Sequence, residues 1–187
     1  MGQWVGLDGY TTKTVEQIGT YAQCSGGTAS YYAFYEMYPA KSVSFTGVSP
    51  GDSITLSVGY DSRTAQWGLK LVDDTAQMTI RQALPCPSGS KCWNASAEII
   101  SEVPNGGPPA ASLADYGTVG FTQIGIVDAA GHPSNIFSRH WKNDKIYEID
   151  AANENLMQEP GKLEGSEGGS GGGYGNQAFT DTALNPN

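Results

Sequence analysis

The segment Ser96-Ala97-Glu98-Ile99-Ile100-Ser101-Glu102 carries two carboxyl groups on a run that reads as a strand. Alternate residues of a strand face opposite ways, so Ala97, Ile99 and Val103 point to one side and Ser96, Glu98, Ile100 and Glu102 to the other. A glutamate on such a mixed face can accept a proton and later return it. Those are two of the services needed when water attacks a carbonyl and an amine departs. The third is stabilisation of the oxyanion, which a primary amide supplies through its NH2 while its carbonyl orients the water. The bland alternative is a solvated strand face, and this segment taken alone favours it. Glu102 lies two pleats from Glu98, too far along the strand to be its hydrogen-bonded partner. A lone glutamine such as Gln17, in Glu16-Gln17-Ile18-Gly19, is ordinarily a surface residue, and nothing in its type or spacing singles it out.

Other chemistry is weaker. Gly168-Gly169-Ser170-Gly171-Gly172 satisfies the hydrolase nucleophile pattern, but it sits in Gly/Ser-rich sequence without a flanking strand and helix. His132 and His140 are not at metal-ligand spacing from any cysteine and read as surface loop residues. Asn94-Ala95-Ser96 is a glycosylation acceptor pattern close to Glu98.

The elements that must position these groups read as strands. The chain has 187 residues, of which 39% are apolar, enough for one core. Gly 25, Pro 10 and Tyr 10 favour short strands joined by turns. Ile54, Leu56 and Val58 share one strand face, and Trp67, Leu69 and Leu71 share another; Val119 with Phe121, and Tyr147 with Ile149, repeat the pattern. Turn clusters at Ser49-Pro50-Gly51-Asp52 and Pro104-Asn105-Gly106-Gly107-Pro108-Pro109 separate them. This punctuation predicts an all-β, two-sheet antiparallel sandwich. The one expected helix is short, around Ala151 to Gln158. Residues 1–163 form the expected domain, and 164–187 a Gly/Ser-rich linker and tail, with the tail expected to add as a strand to an exposed sheet edge.

A net charge of -9 leaves no basic patch for nucleic acid, and no apolar run approaches the roughly 18 residues of a membrane span. Cys86 and Cys92 bracket the turn-rich Pro87-Ser88-Gly89-Ser90-Lys91, which suits a local disulfide; the competing pairing joins Cys24 to Cys92 and leaves Cys86 free.

Taken together and in order, several segments resemble the glutamic peptidases, the eqolisin family. They are Trp4-Val5-Gly6-Leu7-Asp8-Gly9 leading to Thr14-Val15-Glu16-Gln17-Ile18-Gly19, the aromatic run Tyr31-Tyr32-Ala33-Phe34-Tyr35-Glu36-Met37-Tyr38-Pro39, and Ser96 to Glu102. Pro50-Gly51-Asp52 and Leu113-Ala114-Asp115-Tyr116-Gly117-Thr118-Val119-Gly120-Phe121 extend the likeness over roughly residues 4 to 150. The resemblance implies a concanavalin A-like, lectin-like sandwich and a secreted acid endopeptidase insensitive to pepstatin. Gln17 and Glu98 would be its catalytic pair. Trp4 and Asp8 would line the cleft, and Tyr35 and Glu36 would form substrate-binding walls. No cofactor or metal is implied, and the partners are polypeptide substrates.

Two departures stand out. Many relatives have Trp after the catalytic Glu where this chain has Ile99. Relatives also carry a further segment ahead of the Trp-Val-Gly motif that completes the sheet, so a second chain or self-association could serve here. The rival readings are an inactive sandwich that exchanges strands in an assembly, and a carbohydrate-binding module.

Overall fold

The computed structural model describes residues 1–103, 116–128, 130–134, 136, 141–146, 148–149, 156–162 and 178–183. Fourteen strands and no helix occur among them. The chain divides into two compact units, Met1–Gly107 and Pro108–Asn187.

The first unit contains β1 (Gly2–Asp8), β2 (Val15–Ser25), β3 (Thr28–Tyr38), β4 (Val43–Phe45), β5 (Ile54–Asp61), β6 (Gln66–Asp73), β7 (Met78–Leu84) and β8 (Ala97–Glu102). They form a five-stranded sheet in the order β4-β3-β2-β1-β8 and a three-stranded sheet β5-β6-β7, with every pairing antiparallel. The inner faces of these sheets build one core. Ile18, Ala33 and Met37 come from the larger sheet, and Trp67, Leu69, Leu71 and Ile80 from the smaller. Val5, Leu7, Ile54, Leu56 and Val58 pack around them, as the period-two pattern predicts. Leu56 pairs with Leu71 and Val58 with Leu69, so the two predicted faces are one surface. The result is the all-β sandwich expected from the sequence.

In the second unit β9 (Thr118–Phe121), β12 (Glu148–Ile149), β13 (Leu156–Pro160) and β14 (Phe179–Ala183) make an antiparallel sheet in the order β12-β13-β14-β9. A small hairpin joins β10 (Ile126–Val127) to β11 (Pro133–Ser134). The Asp128 carboxylate holds its turn by accepting the amides of Ala130 and His132.

Two expectations need comment here. A helix over Ala151 to Gln158 does not form at its C-terminal end: Leu156–Gln158 belong to β13, where Leu156 pairs with Ile149 and Gln158 with both Glu148 and Ala183. Local helix propensity yields to the sheet's hydrogen-bond ladder, while residues 151–155 lie outside the described region. In the tail, Phe179–Ala183 do add as a strand, but between β9 and β13, where Phe179 stacks on Phe121 with ring centres 4.8 Å apart. Tyr147, His140 and the Gly168–Gly172 stretch fall outside the described residues.

Candidate active site

Strand register decides which side chains share the outer face of the five-stranded sheet. Gly6 of β1 is opposite Gln17 of β2 on one side and Glu98 of β8 on the other, and Gln17 is opposite Glu36 of β3. Residues in register point the same way, so Glu36, Gln17, Gly6 and Glu98 form one row across the sheet. The next row along is Phe34, Gly19, Trp4 and Ile100. Gln17 and Glu98 are two strands apart, about 10 Å between Cα atoms at ordinary strand spacing. The only residue between them has no side chain.

The two glycines are required where they stand. A Cβ at Gly6 would come within 2.9 Å of Cζ3 of Trp4, whose indole covers the strand there. A Cβ at Gly19 would lie 2.1 Å from the carbonyl oxygen of Gln3 and 2.6 Å from Cβ of Trp4. Trp4 is buried, and its Nε1–H donates to Oε1 of Glu102 at 3.0 Å. Glu102, one of the two carboxyls read from the strand pattern, thus holds the indole in place.

Gln17 is almost fully buried, and its Nε2 donates to Oε2 of Glu36 at 2.5 Å. Its carbonyl Oε1 is buried with no hydrogen-bond partner among the described residues. An amide NH2 has two N–H bonds, so the bond to Glu36 leaves one donor and the carbonyl acceptor available. A buried acceptor without a partner is costly unless a ligand or water satisfies it.

Glu98 accepts a hydrogen bond from the Ser96 hydroxyl at 3.1 Å on Oε1. Burial pushes its carboxyl above the ordinary range; the bonds from Ser96 and from the Tyr10 backbone pull it down, while the charges of Asp8 and Glu102 push it up. Glu36 is raised by burial against the pull of the Gln17 bond, and Glu102 by burial against that of Trp4. Carboxyls crowded on one face of a sheet therefore favour their protonated forms.

Asp8 is fully buried, and its oxygens accept the backbone amides of Trp93 at 2.6 Å, Asn94 at 3.0 Å and Ala95 at 2.8 Å. It anchors the segment that leads into Ser96 and Glu98, and its oxygens are occupied by that work. Beyond it, Gly9 has φ +101, and a Cβ there would sit 3.0 Å from Oε2 of Glu98. Glycine lets the loop press against the carboxyl.

Of the residues singled out from sequence, Trp4, Gln17, Glu36 and Glu98 share this face, while Asp8, at the end of β1, is buried beside Glu16 with its carboxylate on the Trp93–Ala95 amides and does not line it. Tyr35 does not: it pairs with Ile18, packs against the core and contacts the Phe45 ring. The strand parity that puts Glu36 in the site puts Tyr35 behind it. The same parity places Glu16, beside Gln17, in the core with no exposed surface, its carboxyl close to Asp8 and Thr14. Burial first, and then the charge of Asp8, raise its pKa to about 8. The sequence put Ser96 on the Glu98 face without giving it a role, and it singled out neither Gly9 nor the Tyr10 backbone for the site; a turn-forming Asp-Gly just after a strand was the available signal. Cys86 and Cys92 are bonded, with Cα atoms 5.9 Å apart, and Cys24 is free and exposed.

The family model for the peptidase A4 family matches residues 1–161. Aspergillopepsin-2 of Aspergillus niger is 34% identical over 124 residues, which is 64% of this chain and 43% of that protein. Scytalidopepsin B of Scytalidium lignicola is 37% identical over 101 residues, 53% of this chain and 38% of that protein. The matched region thus spans about two fifths of the length of these relatives. Among solved structures, aspergilloglutamic peptidase from Aspergillus niger superposes with a TM-score of 0.74 at 22% identity, covering 98% of both chains. Scytalido-glutamic peptidase, solved with a transition state analog inhibitor, gives 0.67 at 22% identity, covering 98% of this chain and 82% of the other. At these identities the structural likeness speaks for the fold.

Proposed function

This chain belongs to the peptidase A4 family, the glutamic peptidases, and from that premise we propose that it is an acid endopeptidase whose Glu98 and Gln17 act on one water. The observation that carries the proposal is the row through Gly6: a carboxyl and a primary amide on the same sheet face, separated by a residue without a side chain.

In this reading an extended polypeptide lies over the row with its scissile carbonyl above Gly6. Glu98, ionised, takes a proton from the water while the water oxygen bonds to the carbonyl carbon. The buried Oε1 of Gln17 accepts the water's other hydrogen and fixes the direction of attack. The Nε2–H not used by Glu36 stabilises the oxyanion as the carbonyl double bond opens. Glu98 then delivers its proton to the amide nitrogen, the C–N bond breaks, and the carboxylate is restored. No proton is gained or lost by the protein over the cycle.

Glu98 must be ionised to take the proton, and burial raises its carboxyl, so the rate falls on the acid side as the pH drops through that raised value. Acid conditions in turn keep Glu16 uncharged in the core and neutralise part of the charge on the carboxyls around the pair. The Cys86–Cys92 bond favours an oxidising compartment, so secretion is part of the reading. The test is cleavage of an unfolded protein between about pH 2 and pH 5. The proposal expects pepstatin-resistant hydrolysis that disappears in Glu98→Gln. Hydrolysis that survives in Glu98→Gln would refute it.

A further inference from the structure

The first unit carries a cleft of about 1070 Å3 that the catalytic scheme does not use, its lining ending at Ala95, just ahead of Ser96 and Glu98 in the chain. One wall is the segment after Tyr10 and includes Lys13 and Thr14; the other includes Lys91, Trp93 and Ala95; Tyr38 stands at its side. Both walls lead directly to the carboxyl. The Tyr10 backbone is bonded to Glu98 at the root of the first wall, and Ala95 precedes Ser96, whose hydroxyl donates to Glu98. A chain whose scissile bond lies above Gly6 would place a neighbouring side chain here.

The lining has a definite chemistry. Tyr38 and Trp93 are 50% and 57% exposed, large values for aromatic residues fixed in place. The Lys91 ammonium lies 3.3 Å from the centre of the Trp93 ring, and Lys13 adds a second cation. On a chain with 19 acidic and 10 basic residues, two of the ten bases thus line one cleft. Of the acids near it, Glu16 meets Thr14 behind the first wall but is buried and keeps its proton up to about pH 8, Asp8 is fully buried beneath three amides, and Glu98 and Glu36 belong to the catalytic row. The walls are also built to hold their shape. Thr12 accepts the Gly9 amide and donates to the Thr14 carbonyl, Asp8 grips Trp93 to Ala95, and the Cys86–Cys92 bond closes the second wall behind Lys91.

We propose that this cleft is a specificity pocket that selects an acidic side chain of the polypeptide substrate, with Lys13 and Lys91 as the selecting charges. The proposal rests on the peptidase reading. Aromatic faces take up the methylene stem of a glutamate, the two ammoniums meet its carboxylate, and a lysine or arginine at the same substrate position is repelled.

The experiment uses short peptides that differ only by Glu, Gln or Lys, with the changed residue moved along the sequence one position at a time. Binding to the Glu98→Gln protein is followed by Trp93 fluorescence at low salt, with Trp93→Phe to assign the signal. At one position the Glu peptide is expected to bind about five- to tenfold more tightly than the Gln peptide, and the Lys peptide more weakly than both. The Glu-over-Gln preference should grow between about pH 3 and pH 5.5, as the substrate's own glutamate ionises near 4.3. It should vanish in Lys13→Gln/Lys91→Gln and invert in Lys13→Glu/Lys91→Glu; both lysines are exposed, so these changes leave the core intact. Equal binding of Glu and Gln peptides at every position, or a preference that survives loss of both lysines, overturns the pocket. Peptide turnover by the unsubstituted protein is scored separately: turnover without preference removes the pocket alone, and preference without turnover removes the peptidase reading alone.

Discussion

Gln17 and Glu98 share a single register partner, Gly6, so the strand between them holds the pair apart and presents both to the same side. Replacing Gly6 by Ala tests how closely that spacing matters. The new methyl would sit 2.9 Å from the Trp4 ring and 3.2 Å from the Glu16 carbonyl oxygen. Relief requires the indole to shift over the site. The expected outcome is a loss of about 1–3 kcal/mol in urea unfolding and a fall in kcat of at least about tenfold.

Glu36 positions the Gln17 amide through the 2.5 Å bond to Nε2. Glu36→Ala removes the acceptor and lets the amide turn, so kcat should fall by roughly 10- to 100-fold with a smaller change in KM. Glu36→Gln, whose carbonyl can still accept, should recover part of the rate. Equal loss in both variants would mean that the charge of Glu36, and not its hydrogen bond, matters.

Glu102→Gln tests the electrostatics of the site without disturbing Trp4, because a glutamine carbonyl can still accept the indole N–H. The charge of Glu102 raises the Glu98 carboxyl. Removing that charge lowers it, so Glu98 ionises at lower pH and the acid limb of the kcat/KM profile moves down the pH scale. A limb that stays put, or moves up, contradicts the assignment of Glu98 as the titrating base.

Glu16 makes stability depend on pH. Its carboxyl titrates at about 8 when folded, against an ordinary value of 4.5. Between those values the native chain keeps a proton that the unfolded chain has lost, so stability is full below the lower value and falls as pH rises toward the upper one. The loss across that window is on the order of 5 kcal/mol. Glu16→Leu should therefore stabilise the protein much more at about pH 7.5 than at about pH 4, measured by urea unfolding at both. An equal gain at the two pH values would show that Glu16 is not charged in the unfolded reference alone.

The face of Glu98 was legible before any coordinates, because Ala97, Ile99 and Val103 contrast with Ser96, Glu98 and Glu102 along one strand. The core strands were legible for the same reason, as with Trp67, Leu69 and Leu71. Tyr31 to Tyr38 offers no such contrast: aromatic residues lie on both faces, so Tyr35 could be set in the site or in the core, and only pairing with Ile18 puts it in the core. Gln17 was recognisable only through the family motif, since a lone glutamine next to Glu16 carries no pattern of its own. The work of Asp8 depends on amides some 85 residues later in the chain, a contact that no local pattern announces. The expected helix failed where Leu156–Gln158 gained two strand neighbours, which is long-range information as well.

The central claim is that one carboxyl and one amide serve a single water, and a double-mutant cycle on peptide cleavage tests it most directly. Wild type, Gln17→Ala, Glu98→Gln and the double variant are compared by kcat/KM on one substrate. Groups that act as a unit predict a fall of about a thousandfold or more in each single variant and little further loss in the double. Losses that simply multiply, or a Gln17→Ala protein with nearly full activity, would contradict it.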